Sequence, residues 1–249
     1  INTKIYETIT NEKDLDKWIK ILNEQSVIAV DTETSSLNPL EADLIGISFS
    51  YAANKACYIP LEYKKTKGLK KELVLKKIKS LLEDPSIKKV GQNMKFDFII
   101  LNQNGVKINS IEDTMLISYA LDAGTNRHNL DTLSEIHLNH KTISYKDLVG
   151  SGKKKLNFSD IKIDQATEYA AEDADVTLRL YNYLKERLDK EKLNKIYEVF
   201  EKPMIQILSK LEFNGIKVDD HYLKKLSKNF EEKLKKMEKE IYKIAKKKF

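Results

Sequence analysis

The chain has 249 residues, with 44 lysines and arginines against 38 aspartates and glutamates, so its formal net charge is +6. A chain of this length can bury a substantial core, as one large domain or as one domain with a smaller annex. Its one cysteine, Cys57, excludes an intramolecular disulfide and favours a reducing cytoplasm. No apolar run approaches the ~20 residues of a transmembrane helix. The basic balance is compatible with nucleic-acid binding without establishing it.

The predicted elements of the first part of the chain alternate between strands and helices. They are, in chain order, a helix over 12–23, strands over 27–33, 44–51 and 56–61, a helix over 69–82 and a strand over 88–91. Consecutive strands followed by strands between helices predict a mixed sheet with helices packed on it, an α/β core. From Asp164 onward the pattern is almost wholly helical, with breaks predicted near Lys202–Pro203 and at Asn214–Gly215.

The first chemically informative segment lies at the end of the first predicted strand. Asp31 and Glu33 close the apolar run 27–30, and residues two apart on a strand project from the same face. Neighbouring carboxylates disfavour each other's ionisation unless a cation neutralises them. The segment therefore indicates a metal site, and the alternative is a strand that runs into a polar loop with acids by chance.

Two further acidic segments follow along the chain. Gly91 is expected to let the chain turn sharply into a helix, with Asn93 as its cap or as a ligand contact and Asp97 one turn inside. Tyr169 and Asp173 are four residues apart in a helical pattern, so they share one helix face. The alternatives are a surface acid at Asp97 and a surface hydrogen bond between Tyr169 and Asp173.

Together the three segments supply four carboxylates, those of Asp31, Glu33, Asp97 and Asp173. Hard oxygen ligands of this kind suit Mg²⁺ or Mn²⁺. Two such ions about 4 Å apart can stabilise both the attacking and the leaving oxygen of a phosphoryl transfer. The predicted chemistry is metal-dependent hydrolysis of a phosphodiester.

The same segments resemble the three motifs of the DEDD exonuclease superfamily, tyrosine subtype, in order and spacing. The matching residues are Asp31-Thr32-Glu33-Thr34, Asn93-Met94-Lys95-Phe96-Asp97 and Tyr169-Ala170-Ala171-Glu172-Asp173. The likeness extends to the proofreading domain of bacterial family A DNA polymerases, and residues 208–219 resemble the start of the polymerase region and its thumb. One departure is Phe96, where this family often has tyrosine.

The resemblance implies a fold and a division of the chain. Residues 1–190 would form a ribonuclease H-like α/β domain, a mixed sheet flanked by helices with the DEDD exonuclease fold. Residues 191–249 would be an all-helical C-terminal segment, the truncated thumb helices of a polymerase domain. The regular apolar stripe of the last helix, with lysines around it, would then belong to the first thumb helix; a coiled-coil or packing helix is the alternative.

The resemblance also implies an activity, cofactors and partners. The activity would be 3′-to-5′ proofreading hydrolysis of DNA that releases nucleoside monophosphates, with two divalent cations, Mg²⁺ or alternatively Mn²⁺ or Zn²⁺. The partners would be a single-stranded DNA 3′ end, primer–template DNA and the remainder of a polymerase chain. A cytoplasmic monomer without membrane contact is expected, and this chain alone is not expected to extend a primer.

Roles for individual residues follow from the resemblance as well. Asp31, Glu33 and Asp173 would hold the ion that activates water, Asp31 and Asp97 would share the second ion, and Tyr169 would orient the attacking water. The candidates for contacts to the terminal nucleotides are Thr32, Leu37, Gln92, Asn93, Phe96, Arg127 and Tyr145.

Two other functions stay open at this stage. A free-standing DEDD ribonuclease would share the chemistry, but the polymerase-like segment after Leu208 argues against it. A catalytically silent domain that only binds DNA or braces a polymerase is the other alternative, but all four acids are present in this chain. A histidine-subtype enzyme is not indicated, because no histidine lies shortly before Asp173.

Overall fold

The computed structural model describes residues 5–63, 68–150, 152 and 156–248. The chain divides into two compact units, residues 1–213 and 214–249. The strands are β1 (Glu7–Thr8), β2 (Val27–Thr34), β3 (Leu44–Ala52), β4 (Lys55–Pro60), β5 (Lys88–Gly91) and β6 (Ile111–Asp113). The helices are α1 (Glu12–Asn23), α2 (Lys71–Glu83), α3 (Met94–Gln103), α4 (Thr114–Asp122), α5 (Leu130–Leu138), α6 (Tyr145–Val149), α7 (Ile163–Lys190), α8 (Asn194–Ile196), α9 (Lys202–Asn214) and α10 (Asp220–Ala245).

The strands form one mixed sheet in the order β1-β4-β3-β2-β5-β6. β3 runs antiparallel to β4 and β2, whereas β1 pairs with β4, β5 with β2 and β6 with β5 in parallel. β2 pairs with β3 as far as Thr34, but its pairing with β5 covers only Val27–Ala29. Beyond Ala29, therefore, the side of β2 that faces β5 has no strand partner among the described residues.

The sheet lies between two layers of helices. Ile28 and Val30 of β2 belong to the same core cluster as Trp18 of α1 and residues of α2 and α3. Ala29, between them, packs instead with Ala174 and its neighbours on α7. Since side chains alternate along a strand, the odd-numbered residues that follow Ala29 project toward α7 and the even-numbered ones toward α3.

The elements predicted from the sequence lie within two residues of the observed bounds. The two short edge strands, β1 and β6, were not predicted. The break predicted near Lys202–Pro203 is wrong, because a π-helical turn at Tyr197–Glu201 continues directly into α9. Pro203 has no N–H to donate to the preceding turn, and the π-helical turn lies directly before it. The observed break is the turn at 191–193, where Lys192 adopts a positive φ of 59°.

The second unit is dominated by α10, which Asp219 caps by accepting a hydrogen bond from the N–H of Tyr222. None of the described residues of α10 is buried. Its apolar stripe includes Leu223, Phe230, Leu234, Met237, Ile241 and Ile244, all exposed. Among the described residues, no helix has both the length and the apolar character needed to cross a membrane.

Candidate active site

Three carboxylates converge between β2 and α7. One oxygen from each of Asp31, Glu33 and Asp173 lies within 4.8 Å of the others. β2 carries the first two side chains toward α7, as strand alternation requires, and α7 carries Asp173. Ala170 and Ala174, which flank this part of α7, are fully buried. Their small side chains let the helix approach the sheet closely.

Asp97 reaches the site from α3, on the opposite face of the sheet. Its side chain is only 2% exposed, so the surface-acid alternative is wrong. Its Oδ1 accepts hydrogen bonds from the backbone N–H of Thr32 at 3.0 Å and from the Thr32 hydroxyl at 2.5 Å. Asp97 thus takes the place of the missing strand partner of β2 and lies beside Asp31. Burial raises the pKa of Asp97, and the negative charge of Asp31 raises it further.

The turn that leads into α3 is held by Asp113 at the end of β6. Its carboxylate accepts hydrogen bonds from the N–H groups of Asn93 at 3.1 Å, Met94 at 2.9 Å and Met115 at 2.9 Å. Asn93 occupies the cap position with a φ of 61°, but its side chain does not cap the helix. A Cβ at Gly91 would lie 2.7 Å from the Met94 Cε, so the flexible end of the Met94 side chain would have to move. The sharp turn expected at Gly91 is therefore made at Asn93.

The electrostatics of the site favour a bound cation. Burial raises the pKa values of Asp31, Glu33 and Asp173 well above their ordinary values. Repulsion from Asp173 raises the pKa of Asp31 further, and repulsion from Asp31 does the same for Glu33. A hydrogen bond from Tyr169 opposes the shift at Asp173. Ionising all these groups without a counter-ion is costly. The three converging carboxylates, with Asp97 beside them, are thus a donor set suited to divalent metal.

The Tyr169 ring is fixed by aromatic neighbours on two sides. Its centroid lies 6.0 Å from that of Tyr145 and 6.0 Å from that of Phe158. Phe158 in turn meets Tyr58 edge-on at 6.3 Å. Burial raises the pKa of the Tyr169 phenol far above its ordinary value, and the nearby carboxylates add to the effect. The hydroxyl therefore stays protonated and remains a hydrogen-bond donor.

A cavity of about 710 Å³ opens at the carboxylates. Five residues expected to contact substrate line it: Thr32, Leu37, Asn93, Phe96 and Tyr145. Leu37 is 83% exposed, so ordinary core packing does not account for it. The sequence interpretation missed several other lining residues, namely Thr34, Ser35, Ser36, Asn129, Leu156, Asn157 and Phe158. Of these, Asn129 lies only two residues after the candidate contact Arg127.

Two expected substrate contacts lie outside this cavity. Gln92 uses its amide within the protein: its Nε2 donates to the carbonyl of His128 at 2.7 Å, and its Oε1 accepts from the Thr114 hydroxyl at 2.5 Å. Arg127 is exposed and is not among the lining residues. The geometry therefore gives Gln92 a bracing role between β5, α4 and the chain before α5.

Comparisons with known proteins agree with the geometry. DNA polymerase I of Rhizobium leguminosarum is 42% identical over 264 residues, covering 98% of this chain and 26% of that protein. The chain thus spans about a quarter of this curated relative. The POL domain of Pol1 from M. smegmatis, solved in complex with DNA primer-template and dNTP, superposes with a TM-score of 0.75 at 20% identity, covering 97% of this chain and 38% of that one. Brucella melitensis NrnC superposes with a TM-score of 0.63 at 25% identity, covering 84% of this chain and 92% of that one.

The match to a protein family covers most of the first unit. Residues 6–189 match the 3′-5′ exonuclease model of the DNA polymerase A type. This range includes the acidic residues of β2, α3 and α7 as well as the whole sheet. The chain therefore belongs to the 3′-5′ exonuclease family of DNA polymerase A enzymes.

Proposed function

We propose that this chain is the proofreading module of a DNA polymerase I, which hydrolyses the 3′-terminal phosphodiester of DNA and releases nucleoside monophosphates. The observation that carries the proposal is the convergence of Asp31, Glu33 and Asp173 at the cavity, with Asp97 beside Asp31. The relative named DNA polymerase I supports the polymerase context. A silent DNA-binding domain would gain nothing from bringing mutually repelling acids together.

The donor set fits two divalent cations. Asp31, Glu33 and Asp173 would hold one, and Asp31 and Asp97 would share the other, with Mg²⁺ favoured and Mn²⁺ or Zn²⁺ as alternatives. Bound there, the cations would supply an activated water and stabilise charge on the leaving 3′ oxygen. Brucella melitensis NrnC, a protein of similar fold, has been solved with Mg²⁺.

The remaining residues of the cavity would bind and orient the substrate. The Tyr169 hydroxyl, held at Asp173, would orient the attacking water. Tyr145 and Phe96 offer aromatic faces on which terminal bases can stack, and the exposed Leu37 offers an apolar contact at the cavity. Thr32 lines the cavity and also fixes Asp97, so it acts on both substrate and carboxylate positions.

The proposed domain division places the exonuclease at residues 1–190 and the start of the polymerase domain at 191–249. Support comes from the family match, which ends at residue 189. The proposed partners are a single-stranded 3′ end, primer–template DNA and the remainder of a polymerase chain. A monomer in the cytoplasm is the proposed state.

The test is the degradation of labelled single strands by the purified chain. With Mg²⁺, a 5′-labelled oligonucleotide should give a ladder that shortens from the 3′ end, and a 3′-labelled one should release labelled monophosphate. Chelator should stop both reactions. Asp173→Ala is the matched inactive control. Binding without hydrolysis in Mg²⁺ and Mn²⁺ would favour a silent DNA-binding domain, and faster hydrolysis of RNA than of DNA would favour a ribonuclease.

A further inference from the structure

Glu172 is a buried carboxylate that the proposed hydrolysis does not use. It precedes Asp173 on α7, and its side chain is 1% exposed. Its Oε2 accepts a hydrogen bond from the N–H of Ile143 at 2.6 Å, and its Oε1 lies 2.8 Å from the Nε2 of His140. Both oxygens are thus engaged by the connecting segment, residues 139–144, which joins α5 to α6.

The connecting segment is tied to α5 as well. The Ser134 hydroxyl donates to the carbonyl of His140 at 2.8 Å, and the Thr142 hydroxyl donates to Asp131 Oδ1 at 2.6 Å. Thr142 is itself buried. The segment is therefore attached on one side to α5 and on the other to Glu172, and its path is set by side chains that do not line the cavity.

Tyr145 follows directly after this segment, as the first residue of α6. Its ring lines the cavity and lies 6.0 Å from the ring of Tyr169. Only Ser144 lies between Tyr145 and Ile143, whose N–H donates to Glu172. A shift of that anchor therefore moves the Tyr145 ring, and with it the wall of the cavity against which a base would stack.

We propose that Glu172 and His140 are positioning residues that hold Tyr145 in place for the 3′-terminal nucleotide of DNA. The proposal rests on the proposed exonuclease function and extends it to residues that touch neither the nucleotide nor the reacting atoms. The helix α7 then carries Asp173 of the proposed reaction centre and, one residue earlier, Glu172, which holds the segment before Tyr145. Loss of the anchor should weaken DNA binding and leave the chemical step unchanged.

The expected size of the effect follows from base stacking. Removal of an aromatic stacking partner typically weakens single-strand binding by about tenfold. Tyr145→Ala should therefore raise KM for a short oligonucleotide about tenfold. His140→Ala and Thr142→Val leave α7 unaltered and each break one tie, so they should raise KM by about three- to tenfold, with kcat within about twofold of wild type. Glu172→Ala removes two ties and should approach Tyr145→Ala.

The experiment compares these variants with two controls in the full chain. Thr142→Ser keeps the hydroxyl that Thr142→Val removes, and Glu135→Gln alters an exposed acid on α5; both should match wild type. Fluorescence anisotropy of a labelled oligonucleotide in Ca²⁺ gives Kd apart from turnover. His140→Ala combined with Tyr145→Ala should bind no more weakly than Tyr145→Ala alone, because both act through one ring.

The outcomes separate this proposal from the function on which it rests. Absence of Mg²⁺-dependent hydrolysis by wild type would overturn the proposed function. Hydrolysis by wild type with unchanged KM and Kd in His140→Ala and Thr142→Val would overturn the positioning role alone. A fall in kcat at constant KM, or additive effects with Tyr145→Ala, would also overturn it. If Glu172→Ala does not fold, the KM and Kd values of His140→Ala and Thr142→Val decide whether the positioning role holds.

Discussion

The carboxylates of the site are held in two different ways. Asp31, Glu33 and Asp173 meet between β2 and α7, where repulsion among them opposes ionisation. Asp97 instead accepts two hydrogen bonds from Thr32 and lies in the first turn of α3, where the helix dipole favours negative charge. The first group therefore depends on a cation for its stability, whereas hydrogen bonds from the backbone and the hydroxyl of Thr32 set the position of Asp97.

Removal of one member of the three-carboxylate group tests this contrast most strongly. Asp31→Ala or Asp173→Ala should lower kcat by about 100-fold or more, because charge stabilisation in the transition state is lost. Folding should be little affected, since a repulsive contact is removed. Turnover of single-stranded DNA at saturating Mg²⁺ and thermal melts measure the two effects. The control is Asp164→Asn, which neutralises an exposed acid on α7. Near-wild-type activity of Asp173→Ala would refute the assignment of Asp173 to the metal site.

Tyr169→Phe separates orientation from metal binding within the same group. The ring keeps its aromatic neighbours but loses the hydroxyl, so turnover should slow by about 10- to 100-fold through poorer alignment of the water. Calorimetry should show that Mg²⁺ binding is largely retained. Tyr183→Phe makes the same change farther along α7 and should behave as wild type. Loss of metal as severe as in Asp173→Ala would contradict the proposed role.

Thr32→Val tests the hydrogen bonds that hold Asp97. Valine keeps the shape and the backbone N–H but removes the hydroxyl donor, and an unmet bond to a buried carboxylate costs about 1–3 kcal/mol. We expect activity to fall several-fold, with half-maximal activity shifted to higher Mg²⁺ concentration. Thr32→Ser should restore both quantities. An unchanged Mg²⁺ dependence would mean that Asp97 does not need this bond to reach its position.

The pH dependence of stability should show the cost of the three-carboxylate group directly. Because the folded-state pKa of each acid is raised above its unfolded value of about 4, the folded state binds more protons. In chelator, the free energy of unfolding should therefore fall as pH rises from about 5 to 8. The corresponding fall in Tm should be about a few degrees. Mg²⁺ should reverse the trend, and Asp173→Asn should flatten it. A Tm that rises with pH in chelator would contradict this account.

The sequence predicts the parts of the site that depend on local periodicity. Strand alternation places Asp31 and Glu33 on one face, and helical spacing pairs Tyr169 with Asp173. The burial of Asp97 could not be predicted, because it depends on where the pairing of β2 with β5 ends. Nor could the role of Asp113, since the three residues of β6 are too few for a periodic pattern.

The tertiary ties of Glu172 were equally hidden from the sequence. Its partners lie about 30 residues away along the chain, and no local rule relates them. In α10, by contrast, the local pattern is clear and the tertiary contacts are not. Its apolar stripe correctly predicts a helix, yet none of its described residues is buried. A clear amphipathic pattern therefore predicts the helix but does not identify what covers it.

The unpaired side of β2 beyond Ala29 has a consequence for solubility. An open strand edge is a template for pairing with another chain and so for aggregation. Here the carboxylate of Asp97 occupies part of that edge, so we expect it to protect the fold in addition to its proposed role at the metal site. Asp97→Ala should accordingly aggregate more readily than Asp173→Ala. Asp97→Asn, which keeps an acceptor oxygen for Thr32, is the better choice for silencing the exonuclease without exposing the sheet.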